Sequence, residues 1–509
     1  MYGGDPRHVG VQPLKGGMTS VFVKWKRYLG SRYSLNIHGS PVICNLTNSY
    51  PGGEVVVKTT NYWTNKVFAF SGTTGSLLWS RDYGSGAEYS TPACGDLNGD
   101  GLDDVVIRTS TQLVALRGRD GYRLWYRSVS NLNSSPVVAD VVPTIPGPEV
   151  IYVEHNSSNV PVLYVLRGSN GQVIWSRTMS NPETPTGYDG QPTYSTPAVW
   201  DIDGDGVREI VVKTRTNGLR AYNGRSGALE WTYPISTTTN VQTPSLKDLN
   251  GDGRYDVIFT DATFGFYHDR TLKAVDHRGN LLWALDLGGN IGAIGFQYFA
   301  TLDVDASGRP EVFLGWDQRV YRVNQTGSSA YVSWGFGPEG NSCWDASISA
   351  VDYDHDGRWE IVKTCDGDLS PPSRLRIFDA RSGSVEYSRI HGCYTDPSVA
   401  IGDVDGDGCS EIVMYRCVSY VDSLIVLDGP LTSCGILSEI GDLNTEEHSP
   451  TLPSRVWEVT GRVLNLRGEV SVWEASGRLV GRYGPGRIVL KPGVYVLTYE
   501  GGRVTVIIR

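Results

Sequence analysis

Six short stretches of this chain concentrate carboxylates at a spacing that suits capture of a hard divalent cation. They are Asp96, Asn98, Asp100 and Asp104; Asp201, Asp203, Asp205 and Glu209; Asp248, Asn250, Asp252 and Asp256. Three more are Asp303, Asp305, Ser307 and Glu311; Asp352, Asp354, Asp356 and Glu360; Asp403, Asp405, Asp407 and Glu411. Each follows Asp-x-Asp/Asn-x-Asp-Gly-x-x-Asp/Glu, with Ser307 as the one departure. The seventh residue of each loop (Leu102, Val207, Arg254, Arg309, Arg358 and Cys409) can add a backbone carbonyl. Carboxylates this close repel one another unless a cation sits among them. Ca²⁺ takes six to eight oxygens at about 2.3–2.6 Å from flexible loops, and the glycine at the sixth position permits the sharp turn. The expectation is five to six Ca²⁺ sites.

An EF-hand opens in the same way but needs Glu at the twelfth position and flanking helices. Ile107 and Val212 stand there instead, and β-branched runs follow, so these loops precede strands. Two related stretches, NLTNSYPGGE from Asn45 and DVVPTIPGPE from Asp140, have lost the acidic pattern and are expected to be metal-free.

The loops recur at a period of about fifty residues, which for all-strand units points to propeller blades. One unit reads TPACGD, the loop NGDGLD, then DVVIRT, QLVALRG, a Gly turn and RLWYRSV. The fourth strand carries an aromatic in seven units: Trp79, Trp125, Trp175, Trp231, Trp283, Trp334 and Tyr387. Large rings at one repeat position are expected to pack between blades. The eighth unit shows three clear strands, and VFVKWKRYLG (21–30) reads as its missing fourth. The fold expected is therefore all-β: an eight-bladed β-propeller with an N-terminal strand closing the last blade, plus a small C-terminal β-sandwich. The boundaries expected are an extension at 1–20, the propeller at 21–435, a polar linker at 436–454 and the C-terminal domain at 455–509.

The repeats resemble FG-GAP or VCBS-type repeats, the calcium-binding blades of integrin α-chains and of many secreted microbial proteins. VFAFSGTTGSLLW and LRAYNGRSGALEW also resemble blades of quinoprotein-like propellers. This resemblance implies fold and calcium but no single activity. The tail, through EASGRLV and LKPGVYVLTYEGGRVTVIIR, resembles the C-terminal sorting domain of type IX secretion substrates, which implies export and surface attachment. Its last strand can also add to another copy's sheet edge, giving a homopolymer.

A net charge of −10 argues against nucleic acid, which needs a basic stripe. No apolar run is long enough for a transmembrane segment, and the opening MYGGDPRHVG has no apolar core of a signal peptide. That leaves either a cytosolic protein or numbering that starts after a removed segment. Eight cysteines without a C-x-x-C pair favour disulfides and an extracellular or cell-surface location. By repeat position, Cys343–Cys365 and Cys393–Cys417 are candidate disulfides, with pairing among Cys44, Cys94, Cys409 and Cys434 open.

In an up-and-down blade the acidic loops share one face, and the longer second-to-third-strand loops and blade links share the other. There Tyr188, Asp189, Phe264, Tyr267, His268, Trp344 and Asp345 set aromatic faces beside carboxylates, suited to a protein loop or a carbohydrate. Two functions compete. One is a non-enzymatic surface protein acting in adhesion, scaffolding or assembly. The other is a carbohydrate-binding propeller or carbohydrate-active enzyme of the polysaccharide lyase kind, supported by the aromatic-acidic face and EIVVKT-like strands. No catalytic residue is assigned.

Overall fold

A computed structural model of the chain describes residues 11–15, 21–31, 39–60, 65–84, 90–129, 134–182, 196–214, 216–235, 243–262, 270–287, 299–316, 319–337, 346–353, 358–365, 374–390, 399–418 and 421–429, with seven strands of the tail. These residues form strands and turns, with no helix among them. The chain divides into two compact units, Met1–Glu439 and Ile440–Arg509.

The first unit is an eight-bladed β-propeller. Each blade is a four-stranded antiparallel meander running from the inside of the ring outward. Blade 2 shows the plan: Ala93–Gly95, Asp104–Arg108, Gln112–Leu116 and Arg123–Ser128. The three-residue first strand fits the crowded centre. The second, DVVIR, is buried along its whole length because it is covered on both faces, so the apolar, β-branched run Val105–Ile107 fills it between a buried Asp104 and a buried Arg108. The fourth, RLWYRS, buries only Trp125 fully and turns polar positions outward.

Blade 8 takes Ala400–Gly402, Glu411–Val418 and Val421–Asp428 from the end of the ring and Phe22–Ser31 from its start. The pairing runs from Phe22 opposite Asp428 to Ser31 opposite Val421, so the N-terminal strand closes the last blade as expected. A second N-terminal strand, Val11–Lys15, joins the inner edge of blade 7 in parallel, with Val11 opposite Ala350. That pairing, inside a stretch read from sequence as a plain extension, has no counterpart among the described residues of the other blades.

The hydrophobic core is divided among eight clusters, one for each blade-to-blade seam. The cluster at the blade 1–2 seam joins Val56, Val67 and Trp79 to Val105, Ile107 and Val114. The one at the 8–1 seam joins Trp25, Val413 and Val426 to Val55, Val57 and Phe70.

Six of the eight seams are clasped by the tryptophan of the fourth strand. The indole N–H donates to a carbonyl in the next blade's third-to-fourth-strand turn: Trp79 to Gly118 at 2.6 Å, Trp125 to Gly168 at 2.6 Å and Trp175 to Gly224 at 2.8 Å. Trp25 donates to Gly72, Trp231 to His277 and Trp334 to Ala380. Two residues beyond the tryptophan, Arg81 and Arg177 each donate to two further carbonyls of the same turn.

The ring lies against a turn glycine with positive φ. At Gly121 (φ 68°), an added Cβ would come within 2.6 Å of the Trp79 ring. Blade 6 breaks the pattern. Its third and fourth strands pair two residues further, through Asn324–Tyr331 and Gln325–Ala330, so the turn runs past Trp283. The buried Trp283 Nε1 consequently lacks a hydrogen-bond partner, and Gln325 Nε2 donates instead to the Leu249 carbonyl of blade 5.

The second unit contains two antiparallel sheets. One orders Trp457–Thr460, Val463–Leu466 and Gly486–Val489; the other orders Leu479–Tyr483, Val470–Glu474, Gly493–Tyr499 and Gly502–Ile508. Gly502–Ile508 is an edge strand.

The seam geometry separates clash from backbone strain. Gly84 also has positive φ (81°) but open space around it. Gly84→Ala is expected to cost about 1–2 kcal/mol from the left-handed backbone alone. Gly121→Ala is expected to cost a further 1–3 kcal/mol or so for overpacking against Trp79. Urea denaturation of the two variants checks this, and equal losses would mean that the ring is not tightly seated.

Candidate metal centres

Every acidic loop joins the first and second strands of a blade, so the loops of blades 2, 4, 5, 6, 7 and 8 share one face of the ring. Their shape comes from the first aspartate. Asp201 Oδ1 accepts the Gly204 N–H at 2.8 Å and Oδ2 accepts the Gly206 N–H at 2.9 Å. Asp96 takes Gly99 and Gly101 in the same way, and Asp248 takes Gly251 and Gly253. Both glycines have positive φ, 76° and 83° in blade 4. In blade 6 the first of the pair is Ala306 at φ 57°, a conformation that costs a non-glycine residue about 1–2 kcal/mol. The sixth-position glycine was legible in the sequence; the equal demand at the fourth position was missed.

The remaining loop residues take complementary places. The third residue accepts the N–H of the fifth, as Asn98 does from Asp100 and Asp203 does from Asp205. The fifth accepts the N–H of the seventh: Leu102 to Asp100, Val207 to Asp205, Arg254 to Asp252 and Cys409 to Asp407. Arg309 N–H donates to the Ser307 hydroxyl at 3.3 Å. In blade 7, Asp354 and Asp356 lie outside the described residues; Asp352 is buried, and Arg358 stands just before the strand that begins at Glu360.

The ninth residue has a role that the sequence pattern did not reveal. In all eight blades one oxygen of this carboxylate, which is the tenth residue in the longer loops of blades 1 and 3, accepts the N–H of the loop's second residue. The pairs are Glu54 with Leu46, Asp104 with Leu97, Glu149 with Val141 and Glu209 with Ile202. They continue with Asp256 and Leu249, Glu311 and Val304, Glu360 and Tyr353, and Glu411 and Val404. Because blades 1 and 3 share it, this bond belongs to the fold and is independent of any cation.

The second oxygen distinguishes the blades. In blade 1 the Thr47 hydroxyl donates to Glu54 Oε1 at 2.7 Å, and in blade 2 the Asn98 amide and Gly118 N–H donate to Asp104 Oδ1. Glu209 Oε1, Asp256 Oδ1 and Glu411 Oε1 are buried without a hydrogen-bond partner. Burial, reinforced by neighbouring carboxylates, pushes Glu209 and Glu411 up to about 9 and Asp256 up to about 8. Glu149 Oε1 in blade 3 is likewise without a partner, and burial raises its pKa. Its loop offers no other carboxylate except Asp140.

Among the described residues, three groups bring oxygens from three carboxylates within 4.8 Å of one another: Asp201, Asp203 and Glu209; Asp303, Asp305 and Glu311; Asp403, Asp405 and Glu411. All three have Glu in ninth position. Asp104 and Asp256 are one methylene shorter. The donor set is entirely oxygen, charged and partly buried, and it can hold a hard metal ion. Two protein cations also approach these groups. Lys24, on the closing strand, pairs with Asp405 and, at 2.7 Å, with Asp428. Burial opposes its charge, but the two carboxylates hold it above its ordinary value. In blade 6, Arg322 reaches Glu311 at 2.6 Å and Asp305 at 3.1 Å.

Tyr188, Asp189, Phe264, Tyr267, His268, Trp344 and Asp345, expected from the sequence on the opposite face, all lie outside the described residues. Buried cations do end the second strands there. Lys58 Nζ donates to Ser90 Oγ at 2.6 Å and to the Arg108 carbonyl at 2.8 Å, and Lys213 Nζ donates to the Thr260 carbonyl. Burial pushes Lys213 down to about 7. The recurring VVVKT, VVIRT and IVVKT endings were the signal for them.

Cys44 and Cys94 form a disulfide between the innermost strands of blades 1 and 2, Cα–Cα 6.0 Å, resolving one of the open pairings. Cys409 is disulfide-bonded as well. Cys343 and Cys393 lie outside the described residues, while Cys365 and Cys417 stand opposite Ala346 and Asp422 in their ladders.

Comparison with known proteins adds to this geometry. A family model described as outer membrane protein assembly factor BamB matches residues 24–203, and a model of FG-GAP-like repeats matches residues 201–259. Protein FAM234B of Gallus gallus is 29% identical over 150 residues, covering 26% of this chain. The chain spans 23% of that relative's length. Among solved structures, the V. cholerae biofilm matrix protein Bap1 aligns at TM-score 0.53 and 14% identity, over 81% of this chain and 91% of that one. A rhamnogalacturonan lyase of Bacillus licheniformis aligns at 0.53 and 16%, over 84% and 75%. The quinohemoprotein alcohol dehydrogenase of Comamonas testosteroni aligns at 0.54 and 12%, over 85% and 81%. At these identities the likeness shows the fold alone, and that fold is the β-propeller.

Proposed function

We propose that this chain is a calcium-stabilised propeller of the extracellular space or cell surface, acting in adhesion, scaffolding or assembly of an extracellular structure. The observation that carries the calcium reading is the carboxylate triplet of blades 4 and 8, each with one buried oxygen that no protein group satisfies. A hard divalent cation there neutralises the cluster without protonating it. Blades 2, 5 and 7 supply the same residue pattern and complete the set with blade 6, giving five to six sites at most. The Cys44–Cys94 disulfide supports an oxidising compartment. A ring with a metal-stiffened face leaves the opposite face for a protein or carbohydrate partner. The edge strand Gly502–Ile508 offers a route to homopolymers by strand addition. The biofilm matrix protein among the fold neighbours supports the same reading.

A carbohydrate-active function is the second reading, favoured by the shared architecture with a rhamnogalacturonan lyase. Incubation with a polysaccharide panel distinguishes the two. The adhesion reading expects calcium-dependent retention without cleavage, together with polymers or surface-bound protein under the electron microscope. Release of unsaturated sugar ends would decide for the lyase reading.

Calcium at a hundred times its dissociation constant is expected to stabilise the ring by about 2.7 kcal/mol for each site filled. Thermal denaturation in chelator should therefore show a midpoint several degrees below that in millimolar calcium. Identical midpoints would remove the metal from the proposal.

The two roles of this loop carboxylate separate by mutation. Glu54→Ala should cost about 1.5–3 kcal/mol, equally with and without calcium, because it loses only charged-acceptor hydrogen bonds. Glu209→Gln should leave stability in chelator nearly unchanged but lose one calcium equivalent by equilibrium dialysis.

A further inference from the structure

The acidic loop of blade 6 differs from its neighbours through a residue that lies outside the loop. On the third strand of every blade, one position pairs across the ladder with the outer aromatic residue. It is alanine in blades 1, 2, 4 and 5, at Ala69, Ala115, Ala221 and Ala274. It is Val165 in blade 3, Ile377 in blade 7 and Val426 in blade 8. In blade 6 it is Arg322, opposite Trp334. A charged side chain thus stands where seven blades place an apolar one, and it is 6% exposed.

Its guanidinium is directed by the strand pleat. Arg322 is paired with Phe313, two residues beyond Glu311 on the same strand, so all three side chains leave the sheet on one side. Nη2 reaches Glu311 Oε1 at 2.6 Å and Asp305 Oδ2 at 3.1 Å, while Nη1 donates to the Arg381 carbonyl of blade 7 at 3.0 Å. Glu311 Oε1 corresponds to the oxygen left without a partner at Glu209 and Glu411. Asn324 also donates to it, at 3.3 Å. In addition, Ser307 removes the third carboxylate of the loop. Blades 4 and 8 gather four carboxylates each, with Lys24 reaching Asp405 in blade 8; blade 6 gathers three, and Arg322 engages two of them, Asp305 and the buried Glu311.

Building on the calcium reading above, we propose that Arg322 is the resident cation of blade 6, so that this loop is held closed by the guanidinium and takes no calcium. Two of the carboxylates a metal would need are engaged by Nη2, and a second positive charge at the same oxygens would be repelled by it. Blade 6 is then a permanently closed sector within a ring whose other acidic loops respond to calcium, and the calcium stoichiometry is set by one residue on a neighbouring strand.

Crystals grown in calcium and soaked with terbium, a strong anomalous scatterer, test this directly. The expected result is an anomalous peak at Asp201, Asp203 and Glu209 of blade 4 and none at Asp303, Asp305 and Glu311. Peaks at both would overturn the assignment of Arg322 while leaving the calcium reading intact. Absence at both would sink the calcium reading and this inference with it. Arg322→Met, matching the apolar residues of the other blades, should bind one more calcium per chain than wild type by native mass spectrometry. Its melting midpoint should fall below wild type in chelator and recover more with calcium than wild type does. An unchanged stoichiometry in a folded Arg322→Met protein would refute the proposal.

Discussion

The indole N–H of one blade, seated on a glycine turn of the next, is the interaction on which the ring rests. A propeller blade has no core of its own, and the eight hydrophobic clusters of this chain all lie between blades. Two twisted sheets stacked face to face slide easily if only apolar side chains meet, because the hydrophobic effect has no direction. A buried N–H has a strict partner requirement, so it fixes the register that apolar contact leaves loose. Arg27, Arg81 and Arg177 reinforce the same turns from the outside. The 8–1 seam uses Trp25 in the same way, which makes closure of the ring one more copy of a repeated joint.

The same turns and loops explain how cation binding can vary around a regular scaffold. One carboxylate oxygen per blade is committed to the backbone, and the other is free to be answered differently. A threonine hydroxyl answers it in blade 1, an asparagine amide and a backbone N–H in blade 2, a guanidinium in blade 6. Where nothing in the protein answers it and further carboxylates converge, burial makes the charged form costly and a metal ion becomes the natural complement. The loop sequence alone therefore understates the difference between blades.

How much could be read beforehand follows from which interactions are local. The period, the acidic spacing, the tryptophans and the orphan strand at 21–30 are patterns within a few tens of residues, and they specify an eight-bladed ring with its closure. The partners that modulate the loops are not local. Lys24 meets Asp405 across 381 positions, and Arg322 gains its meaning only when its strand is laid beside Glu311. Cys44 and Cys94 could be placed at like positions of adjacent blades, but pairing required the spacing of the innermost strands. The two-residue extension of the blade 6 hairpin, which strands Trp283 Nε1, left no mark in a pattern of alternating residues. The aromatic and acidic residues assigned to the opposite face lie outside the described residues, so the fold does not bear on them.

Closure by the N-terminal strand also has a consequence for synthesis. Phe22–Ser31 leaves the ribosome before any blade exists, yet its partner Val421–Asp428 follows some four hundred positions later, with Lys24 and Asp428 separated by 404. Chain entropy is no obstacle, since closing so long a loop costs only about 2 kcal/mol more than closing one of blade length. The difficulty is one of time. Throughout translation Trp25 and a bare strand edge wait in water, available to any other unpaired edge nearby. Blade 1 meanwhile has its outer flank uncovered, so a nascent chain of this design needs shelter until its last blade arrives.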